Sequence, residues 1–95
     1  MADLVVRFDC ANAEARAEEF QHHLVDTKIR VKPETKEGEV WLTYSGIPDD
    51  AFKKIVKEAH PWCLDRGLSL MQNLSGEGSS GTPALLIEDV HQGWG

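Results

Sequence analysis

The spacing of apolar residues along this chain switches between two and three-to-four, and the switches mark out its elements. The clearest stretch runs from Gly38 to Gly67. Val40, Leu42 and Tyr44 alternate with Glu39, Trp41 and Thr43, the period of a strand with one buried face. Ser45, Gly46, Ile47 and Pro48 are expected to break it. Pro48 then presets a helical backbone angle at or near a first helical position, and Asp49 and Asp50 complement the positive end of the helix dipole. Phe52, Ile55, Val56, Ala59 and Cys63 recur on one face of the predicted helix, with Lys53, Lys54, Lys57 and Glu58 on the other. Gly67 stops it. Pro61 lacks a donor and its ring collides with the carbonyl of Lys57, so a kink or break is expected there.

The flanking sequence extends the pattern. Leu4, Val6 and Phe8 alternate with Val5, Arg7 and Asp9, predicting a central strand over 3–9. Asp9 or Asn12 is placed to cap a helix whose stripe is Ala13, Ala17, Phe20 and Leu24. Thr27, Ile29 and Val31 alternate with Lys28, Arg30 and Lys32, which predicts an edge strand guarded by charge. Residues 33–38 read as the turn of an antiparallel hairpin. Leu68 and Leu70 begin a last strand that ends near Leu74.

The order is strand, helix, strand, strand, helix, strand over residues 1–74. It resembles the ferredoxin-like plan, an α+β βαββαβ arrangement with a four-stranded antiparallel sheet and two helices on one face. Residues 75–82, SGEGSSGT, read as a Gly/Ser linker. Residues 83–95 read as an apolar C-terminal tail whose Leu85, Leu86, Ile87 and Trp94 call for burial. Three destinations are open to it: a fifth strand on its own domain, a second copy, or strand addition to another protein.

Ninety-five residues, 41% of them hydrophobic, suffice for one core and one domain. No apolar run approaches the ~20 residues of a membrane span, and the first residues have no signal-peptide character. A cytoplasmic chain is expected. Cys10 and Cys63 form no disulfide framework and are expected to be thiols. The formal charge is −6 and is unevenly spread. Residues 28–36 carry four basic groups and one acid, while residues 1–27 carry two basic groups and six acids. Such a balance steers a protein towards a basic partner and away from phosphate backbones and anionic lipid.

On this register the uncovered sheet face shows Val5, Arg7 and Asp9, then Lys28, Arg30 and Lys32, then Glu39, Trp41 and Thr43, then Ser69 and Met71. A tryptophan beside a basic stripe invites comparison with the RNA recognition motif. Its third-strand signature set against Glu37-Gly38-Glu39-Val40-Trp41-Leu42-Thr43-Tyr44 keeps the glycine and the packing positions. It loses the basic residue to Glu37 and a stacking ring to Glu39, and Val5 replaces the ring expected in the first strand. The loop Asp9-Cys10-Ala11-Asn12 is acidic and has no arginine, unlike the anion cradle of acylphosphatase. It has one cysteine where heavy-metal carrier domains have a Cys-x-x-Cys pair. Gly76 and Gly81 have phosphate-loop spacing, but Thr82 replaces the lysine. His60 with Cys63, and His22 with His23, supply too few converging ligands for zinc. The expectation is no metal, no cofactor and no catalysis.

These readings converge on a small acidic interaction module, similar in composition to bacterial or phage inhibitor and immunity-type proteins, that occupies a basic surface of a partner. The candidate contact residues are Trp41, Arg7, Lys28, Arg30 and Lys32 on the sheet, Glu14 and Glu18 on the first helix, and Leu86 and Trp94 in the tail. One alternative is a homodimeric ferredoxin-like protein binding a small ligand in a cavity lined by Trp41, Met71 and Arg7. Another is a degenerate RNA-recognition-like domain using Lys28, Arg30 and Lys32.

Overall fold

A computed structural model describes residues 2–73 and 82–90. Strand β1 (Ala2–Asp9) leads into helix α1 (Ala13–Leu24), strands β2 (Val31–Lys36) and β3 (Glu39–Ile47), helix α2 (Asp49–Asp65) and strands β4 (Leu68–Asn73) and β5 (Ala84–Asp89). The strands form one sheet in the order β2-β3-β1-β5-β4. β5 runs parallel to β1, and every other neighbouring pair is antiparallel.

The α+β class stands, but the expected four-stranded antiparallel sheet is replaced by a five-stranded mixed one. Residues 84–89 form an interior strand between β1 and β4, and Leu85 and Ile87 are wholly buried. The run Ala84-Leu85-Leu86-Ile87 suits that place, because Leu85 and Ile87 enter the core while Ala84 and Leu86 alternate onto the other face, half-buried. Omitting β5 would leave the order β2-β3-β1-β4. The stretch read as a linker lies, except for Thr82, outside the described residues, as do Leu74, His91 and Trp94.

Both helices cover one face. α1 packs over β1 and β3, and α2 over β4 and β1. The core beneath them is built from alternate residues of four strands: Leu4, Val6 and Phe8, then Val40, Leu42 and Tyr44, then Leu68, then Leu85 and Ile87. Ala13, Ala17, Phe20 and Leu24 meet them from α1, and Ile55, Ala59, Trp62 and Cys63 from α2. Phe8, Phe20 and Trp62 form an edge-to-face cluster with ring centroids 5.4–6.4 Å apart. Arg66 closes it. Its guanidinium lies 4.4 Å over the Trp62 ring and donates to Glu19 of α1 at 2.8 Å.

Several local expectations are corrected. The edge strand begins at Val31, four residues later than predicted, and continues through Pro33 to Lys36. An edge accepts proline because one side of its backbone has no partner. The hairpin turn is therefore only Glu37 and Gly38, both at positive φ (49° and 83°), as the mirror-image two-residue turns require. β3 does not stop at Ser45. Its pairing with β1 shifts by one residue between Leu4–Tyr44 and Ala2–Ile47, Gly46 has φ 66°, and the Gly46 N–H donates to Asp3 Oδ1 at 3.0 Å. That bulge turns Ile47 back into the core.

Helix α2 runs without interruption through Pro61, which is exposed. Asn12 precedes α1 in the left-handed region and makes no side-chain cap; its backbone carbonyl accepts from Arg16 N–H instead. Pro48 has extended ψ and stands just before the first turn of α2.

Candidate interaction face

The face without helices is where the chain's polar and aromatic chemistry gathers. Because side chains alternate along each strand, register aligns them in rows across the sheet. One row reads Glu34, Trp41, Arg7, Leu86, Met71 from β2 to β4. The row on one side of it reads Lys36, Glu39, Asp9, Glu88, Ser69, and the row on the other reads Lys32, Thr43, Val5, Ala84, Asn73. An aromatic and apolar stripe thus runs beside three acids on adjacent strands.

The centre of this face is held rigid. Arg7 Nε and Nη2 donate to the two carboxylate oxygens of Glu39, each at 2.7 Å, and such a fork fixes direction as well as distance. Trp41 Nε1–H donates to the same carboxylate at 3.1 Å, and the Arg7 guanidinium lies 5.2 Å from the Trp41 ring centroid. The hydrogen bonds from Arg7 hold the Glu39 carboxyl below its usual value. The same bonds raise the Arg7 guanidinium, and the carboxylates of Glu39, Asp9 and Glu88 add to that. Arg7 and Lys36 both stand beside Glu39, and Asp9 and Glu88 on the next two strands are the acids that give the face its acidic margin.

The structure separates the nine predicted contact residues. Trp41, Arg7 and Leu86 share one row, and Lys32 lies on the same face at the β2 edge, 3.8 Å from Glu34. Lys28 and Arg30 are not on the sheet. They belong to the loop before β2, beside Ser45, Gly46 and Pro48, where Lys28 N–H donates to Asp26 Oδ1 at 2.9 Å. The predicted basic stripe therefore does not exist as a strand face, because the alternation 28-30-32 falls largely on a turn. Glu14 and Glu18 are exposed on α1, in the helix layer on the opposite side of the sheet. Trp94 is outside the described residues.

Glu88 and Asp9 were not singled out as contact residues in the sequence. Their juxtaposition depends on the parallel pairing of β5 with β1, which no local pattern encodes.

The other candidate chemistry is quiet. Cys10 is partly buried, and burial, with Asp89 nearby, raises its thiol rather than activating it. Burial pushes the Cys63 thiol up to about 11. Among the described residues no group of His, Cys, Asp and Glu converges to hold a metal ion, and no helix is long and apolar enough to cross a membrane. Compared with protein-family models, curated proteins and solved structures, the chain finds no match in any of the three.

Proposed function

We propose that this protein is a non-catalytic binding module of inhibitor type, which engages a basic, partly apolar surface of another protein through the open face of its sheet. The observation that carries the reading is the pairing of two rows: Trp41, Arg7, Leu86 and Met71 beside Glu39, Asp9 and Glu88. The first row supplies apolar area and a ring whose orientation is already fixed, so little side-chain entropy is lost on binding. The second row, three acids against Lys36 at its β2 end, supplies net negative potential to select a cationic partner and speed encounter. In this reading the architecture is the ferredoxin-like plan with a fifth strand inserted between the first and the fourth.

The same rows weigh against the RNA alternative. Stacking finds one ring, Trp41, and the neighbouring acids repel phosphate.

The test is an amide chemical-shift titration with a nonapeptide of alternating lysine and leucine at two salt concentrations. The expected result is shifts centred on Arg7, Trp41, Leu86 and Glu88 that weaken at the higher salt. Shifts confined to the acids of α1, or unaffected by Trp41→Ser with Leu86→Asp, would reject the open face as the site.

A further inference from the structure

The sheet has two edges, and their sequences differ in kind. β2 carries Lys32, Pro33, Glu34 and Lys36, the charges and proline that discourage pairing. β4 reads Leu68-Ser69-Leu70-Met71-Gln72-Asn73, with no charge, no proline and no register shift against β5. Among the described residues no strand lies on its outer side. Edges of that composition are templates for another strand.

Exposed apolar side chains mark the same margin. Leu64, Met71 and Val90 are the large hydrophobic residues most exposed among those described, at 63%, 59% and 43%, and none is remote from β4. Met71 projects from it on the open side. Leu64 and Val90 border a shallow depression at the β4 margin with His60, Leu68, Ser69 and Leu70, and with Glu88 and Asp89 of the neighbouring strand. Apolar area therefore flanks this edge both above and below the sheet.

We infer that β4 is the seat of a homodimer, in which two copies join edge to edge, antiparallel about a two-fold axis normal to the sheet, to form one ten-stranded sheet. A second copy is the occupant that the charge distribution favours. The chain carries −6 overall, so two copies repel one another least where the strand itself is uncharged. β4 itself offers a cationic partner no acid, the nearest being Glu88 and Asp89 on the neighbouring strand. Parity supplies the register. Directly opposed residues in an antiparallel pair point to the same face, so an axis through Leu70 sets Leu70 against its counterpart on the helix side. Ser69 then meets Met71 on the open side, and Leu68 meets Gln72. The isologous pair makes Leu64 and Leu70 of both copies one apolar strip continuous with the two cores. The two open faces become coplanar, giving any bound partner two adjoining sites.

Sedimentation equilibrium of the full chain from 5 to 500 μM, with hydrogen exchange at both ends of the range, tests the inference. The expected result is conversion from 10.6 kDa to twice that mass, with extra protection at β4 amides. Met71→Lys is expected to raise the dissociation constant about tenfold or more while leaving the melting temperature of dilute protein unchanged, because Met71 is exposed. Trp41→Lys is expected to leave dimerisation intact. A monomer throughout, a dimer indifferent to Met71→Lys, or protection gained on β1 and β3 instead of β4 would overturn it. A monomer throughout, or a dimer indifferent to Met71→Lys, leaves peptide binding to the open face untouched, so the two readings fail separately.

Discussion

The Arg7 guanidinium reaches diagonally from β1 to grip the Glu39 carboxylate of β3 through two parallel hydrogen bonds of 2.7 Å. Glu39 has a lowered pKa because of that grip, so the folded state holds its carboxylate ionised where the unfolded chain would protonate it. The sign follows from linkage: the stabilisation is fully present above the ordinary glutamate value of 4.5 and is lost as pH falls through the depressed folded value. Glu19, lowered chiefly by its hydrogen bond from Arg66, behaves in the same way. Denaturant midpoints should therefore be flat from pH 7 to 5 in this respect and decline below pH 4.5. In Arg7→Met with Arg66→Met the acid-side decline should be shallower.

Ending the chain before Ala84 should abolish cooperative unfolding. β4 makes its strand pairing with β5, and Leu85 and Ile87 fill the core, so truncation removes a central strand and leaves an edge without a neighbour. The single substitution Ile87→Ala should cost about 2–5 kcal/mol in chemical denaturation. A truncated chain that still melts cooperatively would show β5 to be dispensable.

Tyr44→Phe should stabilise the protein. The Tyr44 side chain is fully buried on β3, its hydroxyl has no hydrogen-bond partner among the described residues, and burial raises its pKa above the ordinary 10.0. Removing an unsatisfied buried hydroxyl relieves a penalty of about 1–3 kcal/mol, offset in part by the lost volume. A gain of about 1 kcal/mol corresponds to a rise of about 4–8 °C in Tm for a domain of this size. A fall in Tm would mean that the hydroxyl is satisfied in solution.

Glu37→Asn should also stabilise, by a few tenths of a kcal/mol to about 1 kcal/mol, since asparagine tolerates the left-handed region better than glutamate. Gly38→Ala should cost about 1 kcal/mol. A Cβ at Gly38 would meet nothing within 4 Å, so the penalty is conformational and arises from φ 83°. Equal melting of Gly38→Ala and the wild type would refute the two-residue turn.

Much of the molecule was legible from periodicity. The stripes Ala13-Ala17-Phe20-Leu24 and Ile55-Ala59-Cys63, and the alternation around Leu4-Val6-Phe8 and Val40-Leu42-Tyr44, all mark the core, because burial of one face imposes a spacing that the sequence carries directly. The placement of Trp41 on the side away from Ile55 follows from the same parity. The alternation 28-30-32 misled because a short charged run carries no core signal; the tight turn at Glu37-Gly38 fixes the register of β2 against β3, and that pairing starts only at Val31. Glu37 is no habitual turn residue, which is why a longer loop was expected.

What the chain order alone determined is therefore which residues of each element face inward, a local property of helix and strand geometry. What only the tertiary structure decided is the place of the last strand, and with it the neighbours of β1 and β4. Nothing in Pro83–Val90 specifies that it lies parallel to β1 rather than at an edge, because pairing partners are chosen by the global cost of leaving Leu85, Leu86 and Ile87 in water. That choice separates β1 from β4, brings Glu88 beside Asp9 and Leu86 beside Arg7, and so creates the open face with its acidic row.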